Sequence, residues 1–114
     1  MVYDPSAGTL AIFGGLKRPD PSSPETVPLG DTWTFDLSSR TWSDVTPAGP
    51  SPLPLSSFTA TLLGSEVVLF GGSNPDYTLS SDTWIYSLTS GTFEFLDPAS
   101  SPQARDFHTS LAVS

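Results

Sequence analysis

The stretch Ile12-Phe13-Gly14-Gly15 returns as Leu69-Phe70-Gly71-Gly72, and each copy is followed by Asp-Thr-Trp, at 31–33 and again at 82–84. A pattern stated twice confines a chain to folds assembled from stacked copies of one small unit. Phe13 and Phe70 are 70 − 13 = 57 residues apart, whereas Trp33 and Trp84 are 84 − 33 = 51 apart, as are Trp42 and Phe93 (93 − 42 = 51). The difference is local. Residues 16–30 separate the first glycine pair from its Asp-Thr-Trp, and the shorter segment 73–81 separates the second. One loop varies while the units around it keep step.

Each unit reads as strands. Residues 32–37 alternate Trp33, Phe35 and Leu37 with Thr32, Thr34 and Asp36, and residues 83–88 do the same with Trp84, Tyr86 and Leu88. Period two is the signature of a strand with one apolar face. The runs 9–13 and 66–70 are more continuously apolar and predict strands buried on both faces. Strands are also expected after the turns at 38–40 and 89–91, over 57–64 and over 107–114, the last two each opening a new unit. No helix-period segment occurs, and 12 prolines interrupt every window long enough for one. A strand ending in Gly-Gly can turn through positive φ and admit a neighbouring backbone or ring. Gly15 and Gly72 are therefore expected at strand ends beside an aromatic of the following strand or unit.

Chemistry has little to work with. The chain of 114 residues carries 12 acidic against 4 basic side chains, a net charge of −8. That field repels nucleic-acid backbones and anionic membrane surfaces, and no apolar run approaches the length of a membrane-spanning helix. Cysteine is absent, which removes disulfides, thiolate metal sites and thiol nucleophiles and fits a reducing compartment such as the cytoplasm. His108 is the only histidine, and it reads as a structural residue at the head of a strand. No phosphate loop accompanies the glycine pairs, which lack the lysine and the following helix. No catalytic residue, cofactor or metal site is expected.

These residues resemble kelch repeats. The resemblance rests on Gly14-Gly15 and Gly71-Gly72, on the aromatic pairs Phe35/Trp42 and Tyr86/Phe93 (each 7 apart), and on residues 104–110, whose Arg105-x-x-His108 looks like the lead-in to the first strand of a kelch blade. Trp33 and Trp84 complete the motif set. The chain departs from the pattern at Phe93, where the family usually has Trp, and at Leu55…Phe58, which replaces Arg…His in the middle unit. The resemblance implies an all-β fold, part of a kelch-type β-propeller, with two four-stranded antiparallel blades and part-strands at both ends. The units are residues 1–46 (a blade whose first strand is incomplete), residues 47–97 (a second blade), and residues 98–114 (a joining loop and the first strand of a next blade). Because both ends cut through a repeat and propellers carry about 4–8 blades, the expectation is a piece of a larger propeller completed by its remaining blades. The alternative is a ring closed by several copies of this chain. The family also resembles the central domain of galactose oxidase, but that copper chemistry needs two histidines and a cysteine, and this chain has one histidine and no cysteine.

The implied function is a non-catalytic scaffold that binds a protein or peptide through loops, or else an accessory domain of a larger oxidase- or transferase-linked enzyme. In such propellers the loops at 16–30, 46–57 and 97–106 would share one face. They contain Lys17, Arg18 and Arg105, three of the four basic residues. These are the expected partner-binding residues, a basic spot for an acidic peptide.

Overall fold

The structure, a computed structural model, describes residues 1–113. Ten strands run in the order β1 (Val2–Asp4), β2 (Thr9–Phe13), β3 (Leu16–Lys17), β4 (Val27–Pro28), β5 (Thr32–Asp36), β6 (Thr41–Asp44), β7 (Thr59–Leu63), β8 (Glu66–Phe70), β9 (Thr83–Ser87) and β10 (Thr92–Leu96). They form two four-stranded antiparallel sheets, β1-β2-β5-β6 and β7-β8-β9-β10, and a small β3-β4 ladder. No helix occurs among the described residues. Each four-stranded sheet is a blade, as the resemblance implies. The expected loop 16–30 is partly ordered, because Leu16 pairs with Pro28 and Lys17 with Val27.

Registers fix the faces. In the first blade Leu10, Phe35 and Trp42 are cross-strand neighbours, and so are Ile12 and Trp33. In the second, Val67, Tyr86 and Phe93 are neighbours, as are Leu69, Trp84 and Phe95. Cross-strand neighbours share a sheet face, so Trp33/Phe35 and Trp84/Tyr86 occupy equivalent places on equivalent aromatic faces.

The core lies between the blades, and it joins unlike faces. The second blade's aromatic face packs on the opposite face of the first, where Val2, Ala11 and Phe13 are buried against Val67, Leu69, Tyr86 and Phe93. Phe13 meets Tyr86 edge-on at a centroid distance of 5.1 Å and an angle of 72°. The expectation that 9–13 and 66–70 are buried on both faces is therefore corrected. β2 buries Ala11 and Phe13, β8 buries Val67 and Leu69, and their alternate residues are only partly covered. Each sheet has one neighbour in the chain, so each central strand has one sealed side.

The first blade's aromatic face stays open, and Trp42 is 51% exposed. The accessible surface is 7232 Å², against about 6,000 Å² for a compact monomer of this mass.

The expected strand over 107–114 is also corrected. Residues 107–113 form no strand, and Ser114 lies outside the described residues. The segment runs beside β7, with Ser110 and Thr61 hydroxyls in contact and Leu111 and Val113 near Val68 and Phe70. A strand needs a ladder, and Phe107–Val113 has no strand partner here.

Candidate partner-binding face

The strand registers bring several segments to one end. Phe13 is opposite Thr32, Trp33 opposite Asp44, Thr59 opposite Phe70, and Phe70 opposite Thr83. Segments 14–31, 45–58, 71–82 and 97–108 therefore all emerge at the glycine end of the sheets.

The glycines tie them together by repeated bonds. The Gly15 N–H donates to the Leu55 carbonyl at 3.2 Å, and the Gly72 N–H donates to the Arg105 carbonyl at 2.8 Å. The Gly15 carbonyl accepts from Leu29 N–H, and the Gly72 carbonyl accepts from Ser80 N–H, both at 2.8 Å. Leu55 and Arg105 are thus structural equivalents, as are Phe58 and His108, despite their different chemistry.

The following unit's ring expected beside Gly15 and Gly72 is instead met one residue earlier on both blades, at Gly14 and Gly71. Gly14 faces Phe58 and Gly71 faces His108, while Gly72 faces Phe58 of its own blade. Nothing lies within 4 Å of where a Cβ on Gly15 would stand. The lead-in of the next blade crosses over the first glycine, so Gly14 rather than Gly15 receives the ring.

His108 holds the end of the chain against the second blade. Its Nε2 lies 3.1 Å from the Phe70 carbonyl and 3.1 Å from Thr59 Oγ1. A carbonyl only accepts, so this bond puts a proton on Nε2. Nδ1 is buried without a partner among the described residues. Among the described residues no group of three or more His, Cys, Asp or Glu side chains is placed to hold a metal ion.

Lys17 sits in β3 and Arg18 follows it, both exposed. Arg105 uses its backbone to clasp the second blade, accepting from Gly72 and donating to Ser80 at 3.2 Å. Its Nε donates to the Gln103 carbonyl at 3.0 Å. The three bases share the loop end, but they rise from segments that pack on different blades.

Between those segments runs a groove of about 180 Å³, with Leu16 and Pro28 from the β3-β4 ladder, Ser57 from the crossover, Asn74 and Tyr77 from the second blade's loop, and Phe107. Tyr77 is 79% and Phe107 83% exposed. Both have left-handed backbones, with φ of 67° and 52°. Sequence reasoning did not single out these two. The available signal was a large aromatic in each of two loops otherwise made mainly of small and polar residues.

Residues 1–114 match the KLHDC2/KLHL20/DRC7 Kelch-repeats domain. The chain is 35% identical to human (Homo sapiens) host cell factor 1 over 72 residues, which is 63% of this chain and 3% of that protein. It is 33% identical over 93 residues to acyl-CoA-binding domain-containing protein 5 of Arabidopsis thaliana, covering 82% of this chain and 13% of the relative. It is 30% identical over 76 residues to the flagellar outer-arm dynein alpha chain of Chlamydomonas reinhardtii, covering 67% and 2%. The chain thus spans a small part of each relative. Kelch-repeat domains are typically protein-interaction modules and generally non-enzymatic scaffolds. With its two antiparallel blades, paired glycines and matching lead-ins, the chain belongs to the kelch-repeat family and forms two adjacent blades of a kelch β-propeller.

Proposed function

We propose that this protein binds a segment of a partner protein across the glycine-end loops, with no catalysis of its own. The observation that carries the reading is the groove at that end, where two large aromatics, Tyr77 and Phe107, stand in solvent on a scaffold of glycine-anchored loops. Rigid blades that display variable loops are a general route to recognition, because loop chemistry can change without disturbing the core. Lys17, Arg18 and Arg105 border this end and would contact acidic side chains of the partner.

Fluorescence anisotropy with labelled peptides tests the proposal. Peptides with glutamate-rich flanks should bind at least about threefold more tightly than glutamine-flanked ones, and the preference should fall with Lys17→Ala, Arg18→Ala and Arg105→Ala. Equal binding of both peptide types by the unmodified protein would remove the basic residues from the reading. Failure of every peptide to bind would remove the reading itself.

A further inference from the structure

Tyr77 and Phe107, from loops far apart in sequence, line the groove, and each directly follows an aspartate in the chain, Asp76 and Asp106. We propose that this groove holds a cationic side chain, arginine or lysine, of the partner segment, between the two rings and their neighbouring carboxylates. This rests on the loop end being the partner-binding face, and it adds a specific residue class to that reading.

Three observations converge. First, the lining is uncharged and mostly apolar, with Tyr77 and Phe107 beside Leu16 and Pro28 and a few polar groups from Ser57 and Asn74. An aromatic ring attracts a cation through the negative potential over its face, most strongly where water is partly excluded.

Second, the charges nearest in sequence to the lining residues favour a cation. Glu25 adjoins Thr26, Asp76 adjoins Tyr77 and Asp106 adjoins Phe107, against the single base Lys17 beside Leu16. Each aspartate is held in place. Asp76 Oδ1 accepts from the Thr78 N–H and hydroxyl at 3.1 and 2.5 Å, and Asp106 Oδ2 accepts from the Ser73 hydroxyl at 2.8 Å. In both cases the recorded bonds use one carboxylate oxygen. The bonds from Thr78 also hold the Asp76 carboxyl below its usual range, so it stays ionised at neutral pH.

Third, the position of Phe107 is not explained by folding. Its equivalent in the preceding crossover, Ser57, has φ of 58°, so both lead-ins of this chain take a left-handed backbone at this point. Glycine meets that demand without strain, and a bulky aromatic meets it poorly. Phe107 nevertheless stands there almost fully in water, where it adds nothing to the core.

The test is a factorial set of acetylated, amidated peptides of equal length. The central residue is Arg or Gln, and the flanks are Glu-rich or Gln-rich. The expected result is that Arg at the centre tightens binding at least about fivefold over Gln with either flank. Tyr77→Ala and Phe107→Gly should each abolish most of that ratio, while Phe107→Gly leaves the thermal midpoint unchanged or raised, because it relieves the left-handed strain. Loss of binding by a variant that is at least as stable cannot come from misfolding. An affinity that ignores the central residue would overturn the cation site, and an Arg/Gln ratio untouched by Phe107→Gly would do the same. If the flanks still matter in either case, the basic residues' contribution to partner binding stands and only the cation site falls. If no peptide binds at all, both proposals fall together.

Discussion

Gly71 and His108 stand so close that a Cβ on the glycine would lie 2.7 Å from His108 Cε1 and 2.5 Å from the Arg105 carbonyl oxygen. The backbone there has φ of 75°. Two penalties therefore coincide at Gly71, a left-handed conformation and a collision with main chain that cannot swing away. Gly71→Ala should lower unfolding stability by more than about 2 kcal/mol in urea denaturation. Gly14→Ala should resemble it, because Leu55 and Leu29 carbonyls crowd that site in the same way. Gly15→Ala has open space and carries only the backbone penalty, about 1 kcal/mol. Equal losses at Gly71 and Gly15 would show that close approach is not what selects the first glycine.

Phe13→Ala should cost about 3–5 kcal/mol, the range for a buried aromatic truncated in a core. The ring is 7% exposed and bridges the blades through Tyr86 and Phe93. Trp42→Ala removes a larger side chain but a half-exposed one, and should cost less than about 1.5 kcal/mol. A reversed order in equilibrium unfolding would place the core somewhere other than between the blades.

Stability should fall at both pH extremes for separate reasons. Burial raises the Tyr86 phenol above its usual 10.0. The folded form thus disfavours ionisation, and the stability tied to the neutral phenol is present below pH 10 and lost as pH rises through the folded value. Tyr86→Phe should flatten the alkaline limb. On the acid side, the Asp36 carboxyl is lowered by bonds from the Ser39 and Ser38 backbones and the Ser38 hydroxyl, and Asp44 by those from the Thr46 hydroxyl and backbone. Their contribution is present above the ordinary aspartate value and fades as pH drops below it. Asp44 is solvent-exposed, so the acid limb of Asp44→Asn should differ only slightly from that of the unmodified chain.

The chain should self-associate as its concentration rises. One sheet face is open on each blade. The first exposes Trp42 and Tyr3, and the second exposes Leu63 beside Leu111 and Val113. The interface inside the chain already pairs an aromatic face with an opposite face, so head-to-tail stacking of copies repeats a contact that the chemistry supports. Sedimentation velocity should show larger species with increasing load, and Trp42→Glu should shift them toward monomer. A monomer at every concentration with a cooperative melt would contradict this.

The sequence by itself determined the local terms. Period-two alternation forced Trp33/Phe35 and Trp84/Tyr86 onto matching faces, because strand geometry sends successive side chains to opposite sides whatever surrounds them. The glycine pairs marked the strand ends, since an L side chain does not readily take up the φ found at Gly71 and Gly72. What only the tertiary structure decided is which of the matching faces is sealed. Trp84, Tyr86 and Phe93 pack toward Phe13, while Trp33, Phe35 and Trp42 have no second sheet over them. Burial depends on a partner distant in the chain, and the local pattern of the two blades is nearly the same. The same reasoning covers residues 107–113, whose strand-like sequence forms no strand without a ladder partner. It covers the groove as well, since Tyr77 and Phe107 lie thirty residues apart and meet only because the Gly72 N–H binds the Arg105 carbonyl and draws the last segment back over the second blade.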